Sequence, residues 1–159
     1  MKQAGFTLIE LMVVVMIIGI MAGAATISVG STGTQSVRHD ADRLVQLFKI
    51  AQGEVRADGR PITWRASDDG YRFERRAREF VPGEPLPTTV AGAPPEVFTE
   101  DAQLRPRAWS SPPLSIRLEP PGAPVFTAEW IATPLRITLS GDAGRAVITR
   151  DEAGRYAVE

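Results

Sequence analysis

The chain has 159 residues, with Lys+Arg 18 against Asp+Glu 19 and a formal net charge of −1. That size fits one compact domain, and that balance argues against a general nucleic-acid-binding or polybasic membrane-surface role. Cysteine is absent and His39 is the single histidine, so disulfides, thiolate nucleophiles, Cys-based zinc sites and paired-histidine centres are excluded.

The first predicted element is apolar. Leu11–Ala25 holds fifteen residues without a charge, and extending it to Phe6–Ile27 gives 22 residues whose one charge is Glu10. As a helix this is about 33 Å long, roughly the thickness of a bilayer's hydrocarbon core. A secretory signal peptide is one reading, with Lys2 as the basic start and Ala22-Gly23-Ala24 as a small-x-small cleavage site. A plain signal anchor is another. Neither accounts for Glu10, because a carboxylate inside a membrane-spanning helix costs about 2.5–3.5 kcal/mol on insertion scales. A carboxylate snorkelling to the headgroups is the bland alternative. Gly19 and Gly23 form a GxxxG spacing, a weak packing signal that also fits a simple bend.

The order Gly5-Phe6-Thr7-Leu8-Ile9-Glu10, followed at once by the apolar run, closely resembles the class III signal of type IV pilins and pseudopilins. The resemblance implies a leader, Met1–Gly5, removed by a prepilin peptidase that cuts between Gly5 and Phe6 and methylates the new amine of Phe6. Glu10 then stands at the family's fifth mature position, where it assists assembly. Cutting there leaves the apolar segment attached, so the product stays anchored. A cationic amine and a buried carboxylate at similar depth attract strongly in a low dielectric, whereas either alone carries a desolvation penalty. Pairing the amine of one subunit with Glu10 of the next would draw subunits into a filament.

After the apolar run, Ser28–Ser36 is small, polar and poor in helix propensity, a place where a helix could loosen. A helical period then returns. Val37, Ala41, Leu44, Val45, Phe48, Ala51 and Val55 recur at three- and four-residue steps, and Gly59 and Pro61 end the element. The period changes to two at Ile62. Ile62 and Trp64, the turn Ser67–Gly70, then Tyr71 and Phe73 predict a β-hairpin. Val81–Pro95 holds five prolines and reads as an irregular excursion. Leu114, Ile116 and Leu118 alternate with Ser115, Arg117 and Glu119, and the chain from Leu135 to Val158 reads as a three-strand meander. The expected class is α+β, a long N-terminal helix packed on an antiparallel β-sheet domain. The expected divisions are a leader at 1–5, a transmembrane or filament-core half-helix at 6–27, an amphipathic half at 28–60, and a periplasmic β domain at 61–159.

Catalytic chemistry is thin. No Gly-rich phosphate loop is present and no Ser/His/Asp set is arguable from spacing. Asp68-Asp69 and Asp151-Glu152 lie in turns that favour aspartate anyway, and neither carries the alternating oxygen ligands of an EF-hand. No metal or cofactor is expected. Arg72, Arg75, Arg76 and Arg78 form the densest basic cluster. In strand geometry Arg72, Glu74, Arg76 and Arg78 share one face, which reads as a solvated exterior with interleaved acid or as a nucleic-acid patch.

The stretch Asp42–Phe73, with its Gly-Arg-Pro-Ile step and Asp-Gly-Tyr-Arg-Phe, resembles the H-type minor pseudopilins of type II secretion systems. So do the terminal Gly-Asp-Ala-Gly-Arg and Asp-Glu-Ala-Gly-Arg turns. The resemblance implies a non-enzymatic subunit held in the bacterial inner membrane by a single helix. Its expected partners are the prepilin peptidase/methyltransferase, other minor pseudopilins, the major pseudopilin and the inner-membrane assembly platform. A minor pilin of a type IV pilus, acting in pilus biogenesis or DNA uptake, is the alternative.

Overall fold

The computed structural model describes residues 8–79, 88–89, 93–129 and 131–159, without the side chains at 22–34, 79 and 88–89. One helix, α1, runs Leu8–Asp58, about 77 Å at 1.5 Å per residue. Its backbone continues through the Ser28–Ser36 stretch where loosening was expected. The described strands are β1 (Ile62–Ala66), β2 (Gly70–Arg75), β3 (Arg78–Glu79), β4 (Thr88–Thr89), β5 (Glu96–Val97), β6 (Arg107–Ala108), β7 (Ser115–Glu119), β8 (Val125–Phe126), β9 (Leu135–Gly141), β10 (Gly144–Arg150) and β11 (Tyr156–Val158). A long helix followed by antiparallel sheets is the expected α+β, pilin-like arrangement.

Two sheets carry the domain. One has the order β5-β2-β1-β8, with β6 also paired to β2; the other has the order β11-β10-β9-β7. The expected hairpin is present, pairing Trp64 with Phe73 and Ile62 with Arg75. The meander is present too, with Ile148 opposite both Ile137 and Val158. In the proline-rich excursion residues 93–95 have no regular structure, as expected, and Thr88–Thr89 form the short β4, antiparallel to β3 in a two-stranded sheet apart from the other two. Most of that stretch lies outside the described residues.

The second half of α1 lies mainly across β10 and also meets β11, β9, β1 and β8. Its apolar stripe is closed off from solvent, with Ala41, Leu44, Phe48, Ala51 and Val55 fully buried. Phe48 is the hub. Its ring centroid lies 5.4 Å from Trp64 edge-on, 5.2 Å from Phe126, 5.9 Å from Tyr156 and 6.2 Å from Phe73, within the range where aromatic pairs attract beyond simple burial. The helix therefore joins both sheets through one ring.

The backbone requires glycine on either side of β1, at Gly59 and Gly70. Gly59 ends α1 in the left-handed region (φ 72°), where its N–H donates to the Val55 carbonyl at 2.8 Å and so caps the last turn. At Gly70 a Cβ would collide with the Arg107 carbonyl oxygen, because β6 pairs directly against this residue.

Candidate functional site

The N-terminal part of α1 is unlike the rest of the molecule. Every large apolar side chain from Leu8 to Met21 is exposed, Leu8 at 80% and Met21 at 69%. The consecutive exposed residues from Leu11 to Ile18 point to all sides of the cylinder. A helix apolar all round needs an apolar surrounding, from lipid or from other helices. Glu10 is the one acid in this stretch and lies in the first described turn of α1. It is exposed and forms no ion pair among the described residues. The first turn is where the helix dipole favours a negative charge. Gly5 and Phe6, the expected cleavage and methylation positions, lie outside the described residues. Among the described residues, no helix is long and apolar enough to cross a membrane.

Polar clips fix the other half of the helix to the β domain. Asp40 is 2% exposed and accepts from the Ser110 N–H at 2.8 Å and its hydroxyl at 2.7 Å. A turn earlier, the Ser36 and Ser111 hydroxyls lie 2.9 Å apart. Gln52 donates to the Thr127 carbonyl at 2.7 Å. At the helix end, Asp58 meets Arg60 at 3.0 Å and Arg75 at 3.1 Å, and both arginines also reach Glu96. Burial pushes the Asp58 carboxyl up, but hydrogen bonds from Arg60 and the Arg60 and Arg75 charges outweigh it and hold the carboxyl below its ordinary value. The hydrogen bond from Arg75 does the same for Glu96, against a smaller opposing effect of burial. These contacts fasten the second half of α1 to the β domain at Ser36, Asp40, Gln52 and Asp58.

The arginine cluster differs from the sequence expectation. The acid among the arginines is not solvated: Glu74 keeps an 8% exposed side chain beneath Arg65 at 2.7 Å and Arg72 at 3.3 Å. Arg75 points the other way, into the carboxylates of Asp58 and Glu96. Strand β2 ends at Arg75, so Arg76 and Arg78 do not continue its face. Much of the cluster's charge is thus spent internally, which weakens the nucleic-acid reading. Among the other candidates, His39 is exposed. Asp151 accepts from the Arg155 N–H and guanidinium at 2.9 and 2.8 Å, closing its own turn. No group of three or more acidic or histidine residues suited to a metal occurs among the described residues.

Sequence reasoning missed Asp40 and Arg150. Asp40 falls three residues after Val37 and four before Leu44, an acid on the apolar stripe, and that misfit was the available signal. Arg150 extends the buried alternation of Ala146 and Ile148. Its guanidinium donates to the Thr133 carbonyl at 2.7 and 3.0 Å and lies over the Phe126 ring at 5.9 Å, linking the two sheets.

Residues 1–26 match the family model described as the prokaryotic N-terminal methylation motif. The chain is similar to type II secretion system protein H of Aeromonas hydrophila, 36% identical over 77 residues, covering 48% of this chain and 42% of the relative. It is also similar to type II secretion system protein H of Pseudomonas aeruginosa, 39% identical over 82 residues, covering 49% of this chain and 48% of the relative. The chain thus spans about half the length of the curated relatives it matches. No solved structure matches it.

Proposed function

We propose that this chain, which carries the N-terminal methylation motif and resembles type II secretion system protein H over half its length, is a minor pseudopilin. In this reading it is a non-catalytic subunit at or near the tip of a periplasmic pseudopilus that drives folded proteins across the outer membrane. One observation carries the reading: a single continuous helix is bare and apolar on all sides at one end and fastened into a β domain at the other. A filament subunit needs that geometry, because its bare end packs against the helices of its neighbours.

The proposed sequence of events uses this chain's own residues. Hydrolysis of the Gly5–Phe6 peptide bond releases Met1–Gly5, and the freed Phe6 amine takes a methyl group from a sulfonium methyl donor, releasing one proton and keeping its cationic form. Residues 6–27 hold the subunit in the inner membrane as a single-pass anchor, with the domain from residue 61 onward in the periplasm. In hydrocarbon the lone Glu10 carboxylate costs about 2.5–3.5 kcal/mol, and pairing it with the Phe6 amine of a neighbour offsets that cost. Insertion into the filament is thereby favoured over remaining alone in lipid. The prepilin peptidase/methyltransferase, the other pseudopilins and the assembly platform are the proposed partners.

Deletion of the gene tests the role. Secretion of folded proteins should stop, and the full-length chain should restore it. Intact secretion with loss of twitching or DNA uptake would replace this reading with a minor pilin of a type IV pilus.

A further inference from the structure

Three observations meet at one edge of the β domain. The first is backbone geometry. β8 is the last strand of its sheet, and it pairs Ile62 with Phe126 and Thr63 with Val125. The Trp64 N–H donates to the Pro124 carbonyl at 3.0 Å, so positions 124 and 126 face β1 with their hydrogen-bonding groups. In an antiparallel ladder the intervening residue must face the other way. The Val125 N–H and C=O therefore point outward, where no described strand pairs with them.

The second observation is apolar exposure. Beyond α1, Val125 (47%) and Ile131 (78%) are the exposed large apolar residues among the described ones. Both line a cavity of about 280 Å³ that is otherwise mainly polar, with Gln52, Glu129 and Arg150 in its wall. The third is charge. A second cavity, of about 380 Å³, joins Val125 to Thr63, Thr127, Arg76 and Arg78. Arg76 and Arg78 form no ion pair with a described carboxylate, unlike the Arg65, Arg72 and Arg75 beside them.

Resting on the pseudopilin reading above, we propose that the β8 edge, unpaired among the described residues, docks a short extended acidic segment of a neighbouring, different pseudopilin. The segment's backbone pairs with the Val125 N–H and C=O, as in strand addition to a sheet edge. An apolar side chain packs against Val125 and Ile131, and one or two carboxylates meet Arg76 and Arg78. A nucleic-acid strand would satisfy the arginines but leave Val125, Ile131 and the backbone pair unused. A second copy of this chain fits poorly, because a two-fold pairing of β8 edges brings both copies' Arg76 and Arg78 to one junction. An acidic partner removes that repulsion and gains from complementary charge.

The absence of cysteine supplies the test. Val125→Cys in the full-length chain, labelled in native membranes with a benzophenone maleimide, should photocrosslink to another pseudopilin at an acidic peptide identified by mass spectrometry. Glu100→Cys, an exposed position off this edge, serves as the control and should give no such product. Adding Arg76→Glu and Arg78→Glu should cut the crosslink yield about ten-fold, the loss expected from two rim charge pairs together. Crosslinking only to a second copy of the chain, equal crosslinking from the control position, or a yield indifferent to charge reversal overturns the proposal. Co-purification of the unsubstituted chain with other pseudopilins is measured in parallel. If it persists while the Val125 crosslink is missing, the edge assignment fails and the pseudopilin reading stands; if it too is lost, the pseudopilin reading fails.

Discussion

Phe48→Ala is expected to cost about 4 kcal/mol of folding stability. Phe48 is fully buried, and removing a buried phenylalanine costs about 3–5 kcal/mol through lost transfer energy and the cavity left behind. The upper half of that range applies because four rings surround Phe48 at 5.2–6.2 Å, and both sheets lean on the same side chain, so neither can close the gap without losing the other. Against a total of about 5–15 kcal/mol for a domain of this size, the loss is severe. The chain shortened to residues 35–159 keeps every described core residue, since the buried set begins at Val37. Its urea unfolding can be followed by fluorescence, with Trp64 and Trp109 as buried reporters. With a urea slope of about 2 kcal/mol per molar, the midpoint should fall by about 2 M. Lys49→Ala, the exposed neighbour, should stay within about 0.5 kcal/mol. A loss below about 1.5 kcal/mol for Phe48→Ala, half the lower bound for such a deletion, would refute the idea that this ring joins helix and sheets.

Glu10→Leu should still insert and be cut, and anchor more firmly by up to about 2.5–3.5 kcal/mol; recovery in sheared pseudopili should nevertheless drop, and normal recovery would show that Glu10 is a passenger. Asp40→Ala removes both acceptors of Ser110 and should cost about 1–3 kcal/mol in the same urea assay, with Asp40→Asn retaining part of it. Acid should loosen the helix end: the folded chain holds Asp58 and Glu96 below their ordinary values of 3.8 and 4.5, so their stabilisation is complete above those values and is lost as pH falls through the lower folded ones. Melting temperature should therefore decline below about pH 4.5, and less steeply in Arg75→Met; equal slopes would remove this cluster from the account.

The elements with a period were legible in the sequence. The three- and four-residue steps from Val37 to Val55, the alternation at Ile62–Phe73 and the meander from Leu135 all match buried faces, because burial imposes those repeats. Strands β5, β6 and β8 are two residues long, too short to carry a period. Phe126 and the nearby Phe98, Leu104 and Trp109 nonetheless complete the core. Pairing partners far apart in the chain, such as Asp40 with Ser110, leave no local signature at all. The N-terminal motif, matched over residues 1–26, was legible for a different reason: its signal lies in the order of closely spaced residue types rather than in a period. The arginine cluster misled because composition shows charge but not which carboxylates fold against it.

The mature N-terminus tests the central claim most directly. Mass spectrometry of the membrane form should find Met1–Gly5 absent and the chain beginning at an N-methylated Phe6. An intact leader, or a chain beginning at Ala25 after ordinary signal cleavage, would contradict it.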